Sequence, residues 1–466
     1  MNTILLQPTD VLFFRDGRPM DGSHSGHGAA WPLPTVISTA FHAALHRADL
    51  EKYTGQKIRR HRSGRSGNYG NERDRKFGCL RTVGPFPVCA KGDASTWFFP
   101  RPADAQLLLS TNPSFLPLRT DRAASPSSLP PELIYPVADT EEASKNTPQS
   151  WWSEGAWNTY LETVQRNELA ARHFFKNDSD FADTEHTFGI GIDPNTGAQD
   201  GERFYSASYL RLREGWRLGA FATAPDRDFN DSEHGNDLIS SLINGDSGEI
   251  VIGGQQRVCS AKREGKKGGR LPLPLGKCKD FSVSKGKHLV KWVLLSPAIW
   301  PEIPSGMSKR GTKSQSHPGG WLPNWILPST GQVLLQSVSP QERRRRRSLN
   351  YDGKGYRSDE NATAISARLV AAIVPKPIVV TGWALPNETD RPQGGAKSTH
   401  LAVPAGAVYY FETDSSEAAV ALANALNWHG ATNGTEIQNC RSTLLGEKGF
   451  GLGVCGTWQF YDRNVQ

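Results

Sequence analysis

The sequence predicts an α+β protein made of two compact modules of the βαβ type with large loop insertions. Short strand candidates mix with a few helix candidates near both ends of the chain, whereas the middle is rich in turn signals. A length of 466 residues exceeds one ordinary domain. The 46 glycines and 31 prolines exceed their usual share and indicate a folded chain with many loops.

The composition excludes several classes of protein. Only 22% of the residues are charged and 37% are hydrophobic, which excludes a disordered polyelectrolyte. No apolar run reaches the roughly 18 residues that a membrane helix needs, and the opening MNTILLQPTD lacks the features of a signal peptide. The six cysteines include no CxxC pair and are interpreted as reduced thiols, with a disulfide or a dispersed metal site as open alternatives. We therefore expect a cytoplasmic protein.

Periodicity and turn signals predict the elements of the N-terminal half. A short strand is predicted at Ile4–Leu6. A helix is predicted at Thr35–Leu50, because apolar residues recur along one face and Pro34 suits the first turn. Ordered strands are expected from Leu80 onward. A later helical segment is expected to contain Trp151, Trp152, Trp157 and Leu161.

The same signals predict the elements of the C-terminal half. A helix is predicted at Ser415–Trp428, with its alanines and leucines directed inward. Runs of β-branched and aromatic residues between turn signals predict strands. These strands are Gly189–Asp193, Phe204–Leu212, Gly248–Ile252, Val290–Leu295, Leu369–Ile373, Ile378–Trp383, Ala407–Phe411 and Thr457–Tyr461.

Three basic segments carry the net charge of +7. The segment 57–76 holds eight Lys or Arg against two acidic residues, 262–291 holds ten against two, and 343–347 is five consecutive arginines. Each one alone is typical of a solvated loop. Together with 13 Trp, 11 Tyr and 19 Phe they favour nucleic acid, because cations hold phosphates and aromatic rings stack bases.

A glycine-rich loop near the C-terminus is the sharpest local feature. The run Gly449-Phe450-Gly451-Leu452-Gly453 opens a strand, so it is not a dinucleotide-binding fingerprint. Its glycines allow backbone N–H groups to approach an anion, and Lys448 beside them suits a phosphate. The alternative is an ordinary glycine-rich turn.

The loop at 14–28 is a second candidate for anion contact. Arg15 and Arg18 precede the predicted helix, whose first N–H groups favour anions, and arginine binds phosphate through two hydrogen bonds. The alternative is a local pair between Arg15 and Asp16. His24 and His27 in this loop have no Cys or carboxylate nearby, so they are interpreted as solvated or RNA-contacting rather than as metal ligands.

Catalytic motifs are not evident in the sequence. There is no Walker A motif, no GxSxG elbow, no zinc-finger spacing and no obvious pair of carboxylates. We therefore expect a protein that is not an enzyme and holds neither a metal ion nor another cofactor.

Eleven segments, in order along nearly the whole chain, resemble one known family. They include TDVLFFRDGRPM at 9–20, WPLPTVISTAFHAAL at 31–45, GPFPV at 84–88, WFFPRPADA at 97–105, IGGQQR at 252–257, GGWLP at 319–323, VPAGAVYYF at 403–411 and LLGEKGFGLGVCG at 444–456.

This pattern resembles the RAMP subunit of type III-B CRISPR effectors (Cmr complexes) that caps the 5′ end of the guide RNA. The resemblance implies two RRM-like (ferredoxin-like) RAMP modules with large loop insertions. It also implies a non-catalytic subunit that binds the repeat-derived 5′ tag of crRNA. Its protein partners would be the large polymerase/cyclase-like subunit and an adjacent backbone RAMP subunit. One departure is Gln255, which stands where the family typically has an acidic residue.

The module boundary is placed near residue 250. The first module, 1–250, carries the basic insertion 57–76. The second, 251–466, carries the basic segments 262–291 and 343–347 and the glycine-rich loop 449–456. By the resemblance, the residues expected at the RNA are Arg15, Arg18, Thr35, Gly253, Gly254, Arg257, Lys448, Gly449, Phe450, Gly451 and Gly453.

Two other functions stay open at this point. Some RAMP proteins are metal-independent endoribonucleases that cut repeat RNA with a histidine base, for which His24 and His27 are the candidates. A tryptophan-rich carbohydrate-binding protein is the third possibility, which the basic segments disfavour.

Overall fold

The computed structural model places strands and a few helices along most of the chain. It describes residues 1–14, 25–26, 31–48, 77, 79–91, 94–107, 115–117, 119–120, 133–138, 149–162, 175–193, 195–225, 237–244, 248–265, 269–307, 313–314, 316–337, 363–384 and 395–460. The helices are α1 (Pro34–Arg47), α2 (Glu154–Glu162), α3 (Asp178–Phe181), α4 (Leu238–Leu242) and α5 (Ser416–Leu426), and a 3₁₀ turn covers Gly446–Lys448.

Fifteen strands build the main sheets and one long hairpin. They are β1 (Asn2–Pro8), β2 (Arg81–Lys91), β3 (Ala94–Pro100), β4 (Trp151–Ser153), β5 (Phe175–Lys176), β6 (Ala182–Ile192), β7 (Gln199–Leu212), β8 (Trp216–Thr223), β9 (Gly248–Val251), β10 (Val258–Glu264), β11 (Ser282–Ser284), β12 (Lys287–Leu294), β13 (Ala367–Ile373), β14 (Val408–Thr413) and β15 (Gly453–Thr457).

The shorter strands form separate two-stranded antiparallel sheets. The exception is Ser25–Gly26, which pairs with β7 in parallel. The pairs are Ala105–Leu107 with Phe115–Pro117, Arg119–Thr120 with Val137–Ala138, Gly306–Met307 with Lys313–Ser314, Gln336–Ser337 with Thr363–Ala364, Ile378–Val380 with His400–Ala402, and Trp383–Ala384 with Gly395–Ala396.

The first sheet contains a ferredoxin-like unit. Its chain order is β1-α1-β2-β8-α4-β10, and its strands lie side by side as β10-β1-β8-β2 with every pair antiparallel. This is the βαββαβ arrangement of RRM-like modules. β9 extends the sheet beyond β10, while β3, β4 and β5 extend it beyond β2 to eight strands.

The second sheet repeats this strand order. Its chain order is β12-β13-β14-α5-β15, and its strands lie side by side as β15-β12-β14-β13, again antiparallel. Between β12 and β13 the described residues form turns and short strands, so α5 is the one helix described in this module. The predicted α+β class is confirmed, and both sheets follow the ferredoxin-like strand order.

Local chemistry explains the two longest helices. α1 begins one residue before the prediction, because Pro34 itself occupies the first turn, and it ends at Arg47 rather than Leu50. α5 begins after Ser415, whose hydroxyl accepts a hydrogen bond from the N–H of Ala418 at 3.2 Å. A serine N-cap of this kind satisfies a backbone donor that the helix itself cannot pair.

Several predicted boundaries differ from the structure. Val258–Glu264 pairs with β1, so the first sheet continues past the predicted module boundary at residue 250. Trp151 and Trp152 lie in strand β4 rather than in a helix, which begins only at Glu154. The last described strand is Gly453–Thr457 rather than Thr457–Tyr461, because Gly453 already pairs with β12.

The two sheets pack face to face, with α1 and α5 on their outer sides and one face of α2 in the core that the sheets share. Alternate residues of β1 show this arrangement: Ile4 and Leu6 pack with α1, whereas Leu5 joins a core shared with β12 and β14. In the second sheet, Trp292 packs with α5, while its neighbour Val293 joins the shared core. Strand periodicity of two residues therefore builds four layers, helix–sheet–sheet–helix.

A buried ion pair lies in the shared core between the sheets. Lys291 of β12 is 2% exposed, and its Nζ lies 3.3 Å from Oδ2 of the fully buried Asp104. The hydroxyls of Tyr160 and Tyr410 donate to the same carboxylate at 2.5 and 3.0 Å. The Lys291 Nζ also sits 3.7 Å from the centre of the Tyr160 ring, a cation–π contact. Every polar group of this cluster therefore has a partner.

Burial governs the protonation of this cluster. It lowers the pKa of Lys291, and the nearby Asp104 carboxylate opposes this shift. Burial also raises the pKa of Tyr160 and of Tyr410 well above the usual value, and the Asp104 carboxylate adds to this effect. Both phenols therefore stay protonated and continue to donate to Asp104 at neutral pH.

No helix among the described residues is long and apolar enough to cross a membrane.

Replacing Lys291 tests the contribution of the buried pair. Lys291→Met is expected to lower the free energy of unfolding by about 3–5 kcal/mol, because it leaves the Asp104 carboxylate buried without its cation. The double variant Lys291→Met, Asp104→Asn is expected to recover most of this loss, since the amide is neutral. Equilibrium unfolding in urea measures both.

Lys287→Met is the matched control on the same strand. The Lys287 side chain is 46% exposed and pairs with the exposed Asp414. Exposed pairs contribute about 0–1 kcal/mol, so this variant is expected to stay close to the wild type. Equal losses for Lys287→Met and Lys291→Met would contradict the importance given to the buried pair.

Candidate nucleic-acid interface

The turn that joins β9 to β10 carries three of the predicted site residues, Gly253, Gly254 and Arg257. Its ends are closed by a hydrogen bond from the N–H of Ile252 to the carbonyl of Arg257 at 2.8 Å. Residues 253–256 are exposed. Gly253 has φ +75°, and Gln255 and Gln256 have φ +57° and +50°, so three of these residues are in the left-handed region. The backbone of this turn is therefore tightly defined although it faces solvent.

The turn is seated against the residues that immediately precede Arg15. The N–H of Gly254 donates to the carbonyl of Phe13 at 2.9 Å. A Cβ atom on Gly253 would lie 2.5 Å from that same oxygen, and one on Gly254 would lie 2.7 Å from the Phe13 ring. Both glycines are therefore required by close packing against Phe13. The structure brings the predicted 253–257 turn to the start of the predicted 14–28 loop.

Arg257 is held by a small polar and aromatic cluster. Its guanidinium lies 3.4 Å from the Asp10 carboxylate, donates to Gln255 Oε1 at 3.2 Å and sits 5.4 Å from the centre of the Tyr209 ring. The Tyr209 hydroxyl donates to the same Gln255 oxygen at 3.0 Å. Gln255, the departure from the family pattern, thus orients Arg257. The side chain of Arg257 remains 29% exposed.

Asp10 is shared between two arginines. Arg211 of β7 lies 3.1 Å from one carboxylate oxygen of Asp10, while Arg257 lies near the other. Arg211 also binds Glu185, and this hydrogen bond, with a smaller effect of Asp10, raises the pKa of Arg211. Sequence reasoning missed Asp10, Tyr209 and Arg211, because only the pairing of Leu12 with Leu210 brings their strands together.

The glycine-rich loop at 449–453 is packed inside the protein. A Cβ atom on Gly449 (φ +87°) would lie 2.7 Å from the Thr82 carbonyl oxygen, and one on Gly453 would lie 2.3 Å from the Trp292 indole nitrogen. The Gly449 carbonyl accepts a hydrogen bond from the Ser296 hydroxyl at 2.6 Å. These glycines are therefore required by neighbouring parts of the same chain.

Phe450 is fully buried in a small core. It packs with Ile299, Val380 and Ala402, and Gly451 beside it is also buried. Phe450, Gly449, Gly451 and Gly453 thus offer almost no surface to a phosphate, which corrects the expectation that they approach RNA directly. An RNA contact of the half-buried Lys448, at the edge of the loop, stays a prediction.

The start of α1 lies next to this loop. Leu33, the residue before the helix, packs on the Phe450 core, and α1 contacts the 3₁₀ turn Gly446–Lys448. Thr35 lies in the first turn of α1 and is half-buried. Thr35 and the glycine-rich loop, predicted separately to lie near RNA, are therefore neighbours in the structure, although the loop itself is buried.

Comparison with known proteins decides the family. The family model described as CRISPR-associated protein (Cas_Cmr3) matches residues 4–458, nearly the whole chain. The chain belongs to the Cas_Cmr3 family. This confirms the family predicted from the motifs. A search of curated proteins finds no significant match.

Three solved structures with detectable similarity come from type III CRISPR complexes. Two are chains of a type III-B Cmr-β complex bound to cognate target RNA, one of them also with AMPPnP. They have 12% and 13% identity, TM-scores of 0.36 and 0.37, and cover 88% of this chain and 86% of theirs. A third comes from a Csm3–Csm4 subcomplex, with 10% identity, a TM-score of 0.30, and coverage of 88% and 92%. All three TM-scores are below 0.5, so the family assignment depends on the sequence match.

Other predicted site residues of this Cas_Cmr3 protein lie outside the described residues. They are Arg15, Arg18, His24 and His27 and the basic segments 57–76 and 343–347.

The basic segment 262–291 makes structural contacts within the Cas_Cmr3 protein itself. Three residues of α2, spaced four apart on one face, bind it: Glu154 pairs with Arg270 at 2.5 Å, Asn158 accepts from the N–H of Leu275 at 3.2 Å, and Glu162 pairs with Lys277 at 2.8 Å. The segment also contains β11 and β12 and the buried Lys291. The described part of 262–291 is therefore built into the fold, although its composition alone is typical of a solvated loop.

The aromatic residues are likewise used in the core. Among the described residues, the twelve largest fully buried side chains are all aromatic, and six of them are tryptophans, which corrects the expectation that the high aromatic content serves base stacking. These residues are Trp97, Trp152, Trp157, Trp292, Trp300, Trp428, Tyr160, Tyr409, Tyr410, Phe41, Phe77 and Phe99.

Substituting Gly449 tests its packing role. Gly449→Ala is expected to destabilise the protein, because the new Cβ adds steric overlap with Thr82 to the strain of a positive φ. Gly286→Ala is the matched control, since Gly286 has φ +75° but no atom within 4 Å of its Cβ position. We expect Gly449→Ala to lose about 1–3 kcal/mol more than the control in urea unfolding. Equal losses would argue against a packing role.

Proposed function

We propose that this Cas_Cmr3 protein is a non-catalytic RNA-binding subunit of a type III-B CRISPR ribonucleoprotein, which anchors the repeat-derived 5′ tag of crRNA. The observation that carries the proposal is the exposed turn 253–257, seated on Phe13 directly ahead of the loop with Arg15 and Arg18. The turn that the family resemblance assigns to RNA thus contacts Phe13, close in sequence to the two predicted arginines.

The arrangement of the sheets supports binding at loops rather than on a sheet face. RRM modules commonly stack bases on aromatic residues of the open sheet face. Here, the corresponding faces of the two sheets pack on each other, and residues such as Trp97 and Tyr410 lie in the core between them. RNA is therefore expected along the sheet edges, where the β9–β10 turn projects.

Arg257 is suited to bind an RNA phosphate in place of its present partner, the Asp10 carboxylate. Its guanidinium is oriented by Gln255 and Tyr209 and is paired with Asp10. A phosphate that replaces Asp10 gains a charge-assisted hydrogen bond from a side chain whose direction is already set. Asp10 keeps a cation after the exchange, because Arg211 binds it from the other side. Such contacts hold the RNA backbone without reading its sequence.

The proposal includes two protein partners in the cytoplasm, the large polymerase/cyclase-like subunit and an adjacent backbone RAMP subunit. Membership of the Cas_Cmr3 family supports them.

Removing three arginines tests the RNA contact. The triple variant Arg15→Ala, Arg18→Ala, Arg257→Ala is expected to weaken binding of a single-stranded RNA with the tag sequence of the host's crRNA. For single-stranded RNA, each phosphate contact contributes about −0.7 to the slope of log K against log salt concentration. Loss of three contacts is therefore expected to make this slope shallower by about 2. Filter binding at a series of salt concentrations measures both quantities, and the recovered RNA is expected to be uncut.

Arg213→Ala is the control for the loss of one surface arginine. Arg213 directly follows β7 and pairs with Asp183 at 2.7 Å. It is expected to change affinity and salt slope only slightly. If the triple variant bound the tag with unchanged affinity and slope, the proposed contact would be wrong, and discrete cleavage of the RNA would contradict a non-catalytic role.

Asp10→Asn tests the exchange of partners at Arg257. The substitution removes the carboxylate that competes with a phosphate, so we expect the tag RNA to bind about 2–5-fold more tightly than to the wild type, the size expected for an exposed ion pair. Asp183→Asn is the matched control, because it frees Arg213 instead. Weaker binding by Asp10→Asn would show that Asp10 positions Arg257 rather than competes for it.

A further inference from the structure

The β9–β10 turn holds two glutamines in a backbone conformation that favours glycine. Gln255 and Gln256 are consecutive and exposed, and they have φ +57° and +50°. Tight turns with two successive positive φ angles prefer Asn-Gly or Gly-Gly at these positions. Other residues adopt this conformation at a cost in stability, and such positions cluster at binding sites. A side chain that is kept at this cost is expected to have a role, and the contacts of the two glutamines differ.

The contacts of Gln255 fix the direction of its carboxamide. Its Oε1 accepts a hydrogen bond from the Arg257 guanidinium at 3.2 Å and another from the Tyr209 hydroxyl at 3.0 Å. A guanidinium is only a donor, so the atom that faces Arg257 is the oxygen and not the nitrogen. The two donors occupy both lone pairs of this oxygen. The Nε2 amine has no acceptor among the described residues, so both of its N–H groups are left for a ligand.

The neutrality of Gln255 sets the charge of the site. Two arginines, Arg211 and Arg257, and two carboxylates, Asp10 and Glu185, form the charged network beside the turn. A carboxylate in place of this carboxamide would add a third negative charge and would compete with a phosphate for Arg257. The carboxamide accepts the same two hydrogen bonds without adding that charge. Arg257 is therefore held in one direction and still attracts an anion.

We propose that Gln255 is a phosphate-binding residue of the RNA site, a role that the family pattern, with its acidic residue at this position, does not predict. The Nε2 amine donates a hydrogen bond to a non-bridging oxygen of the phosphodiester that Arg257 contacts. The backbone N–H groups of Gln255 and Gln256 also have no acceptor among the described residues, and turns with such groups bind anions. The inference rests on the proposed function, because it names a further residue of the same site.

Two glycine substitutions separate the side chain of Gln255 from its backbone. Glycine adopts a positive φ without strain, so Gln255→Gly and Gln256→Gly are both expected to unfold at the same urea concentration as the wild type or a higher one. Gln255→Gly is expected to bind the tag RNA about 3–10-fold more weakly, the size expected for one hydrogen bond. Gln256→Gly is the matched control and is expected to bind like the wild type, because no described residue hydrogen-bonds to the Gln256 side chain.

A charged variant tests the importance of neutrality. Gln255→Glu is expected to bind the tag RNA about tenfold more weakly or worse, because it loses the amine and gives Arg257 a second carboxylate partner. Its slope of log K against log salt concentration is expected to become shallower by about 0.7, the contribution of one phosphate contact. The slope of Gln255→Gly is expected to stay unchanged, since a neutral amide displaces no counterion. Filter binding at a series of salt concentrations measures these values.

Modified RNAs identify the group that the amine contacts. A methylphosphonate, which replaces one charged non-bridging oxygen by a methyl group, is introduced at each linkage of the tag in turn. At one linkage it is expected to weaken binding by the wild type and to reduce the further loss from Gln255→Gly to less than about twofold. An abasic nucleotide keeps the phosphate and is expected to leave that loss unchanged. If an abasic nucleotide cancelled the loss instead, the contact would belong to a base and the inference would be wrong.

The outcomes separate this inference from the proposed function. Unchanged RNA affinity in Gln255→Gly, while the triple variant of Arg15, Arg18 and Arg257 binds weakly, overturns the inference alone. A lower unfolding midpoint for Gln255→Gly than for Gln256→Gly assigns the side chain a structural role and also overturns the inference alone. A wild-type chain that does not bind the tag RNA overturns the proposed function and the inference together.

Discussion

The carboxylate of Asp104 is the constraint on which the arrangement of the two modules depends. Removing a charge from water costs several kcal/mol unless a cation and hydrogen-bond donors replace the solvent. Its partners come from both modules: Tyr160 from α2 of the first, and Lys291 and Tyr410 from the sheet of the second. The carboxylate is satisfied only when the two sheets meet in this one register. The pair therefore specifies how the sheets face each other, while the surrounding aromatic core supplies the apolar burial.

Face-to-face packing determines where RNA is able to bind. Once the two sheets cover each other, the aromatic residues on their inner faces become core, and the accessible features are loops and edges. The β9–β10 turn and the β6–β7 ribbon both project from the first module, and Leu12 pairs with Leu210 to join them. This link brings Asp10 between Arg211 and Arg257. The proposed RNA site and the base of the ribbon are thus held together by the same contacts.

The sequence predicts local elements better than it predicts their contacts. Pro34 and the spacing of apolar residues indicate α1, and the run around Tyr409 indicates β14, because these signals lie within a few residues of each other. The pairing of Lys291 with Asp104 spans 187 positions and has no local signal. Glycine patterns are equally ambiguous: Gly253 and Gly449 both have positive φ, but one turn is exposed and the other loop is buried. Only the tertiary fold shows that Gly253 faces solvent whereas Gly449 packs against Thr82.

The basic residues of the chain fall into two groups: those concentrated in the basic segments, and arginines that are paired with carboxylates. The segments 57–76 and 343–347 together carry an excess of basic residues larger than the net charge of +7, so the rest of the chain is net acidic. In that remainder, arginines such as Arg211, Arg213 and Arg270 are paired with carboxylates. Paired arginines add little to the long-range field, but they are held in a defined direction. Under the proposed function, attraction of RNA falls to the basic segments and its positioning falls to Arg257, which exchanges one anion for another.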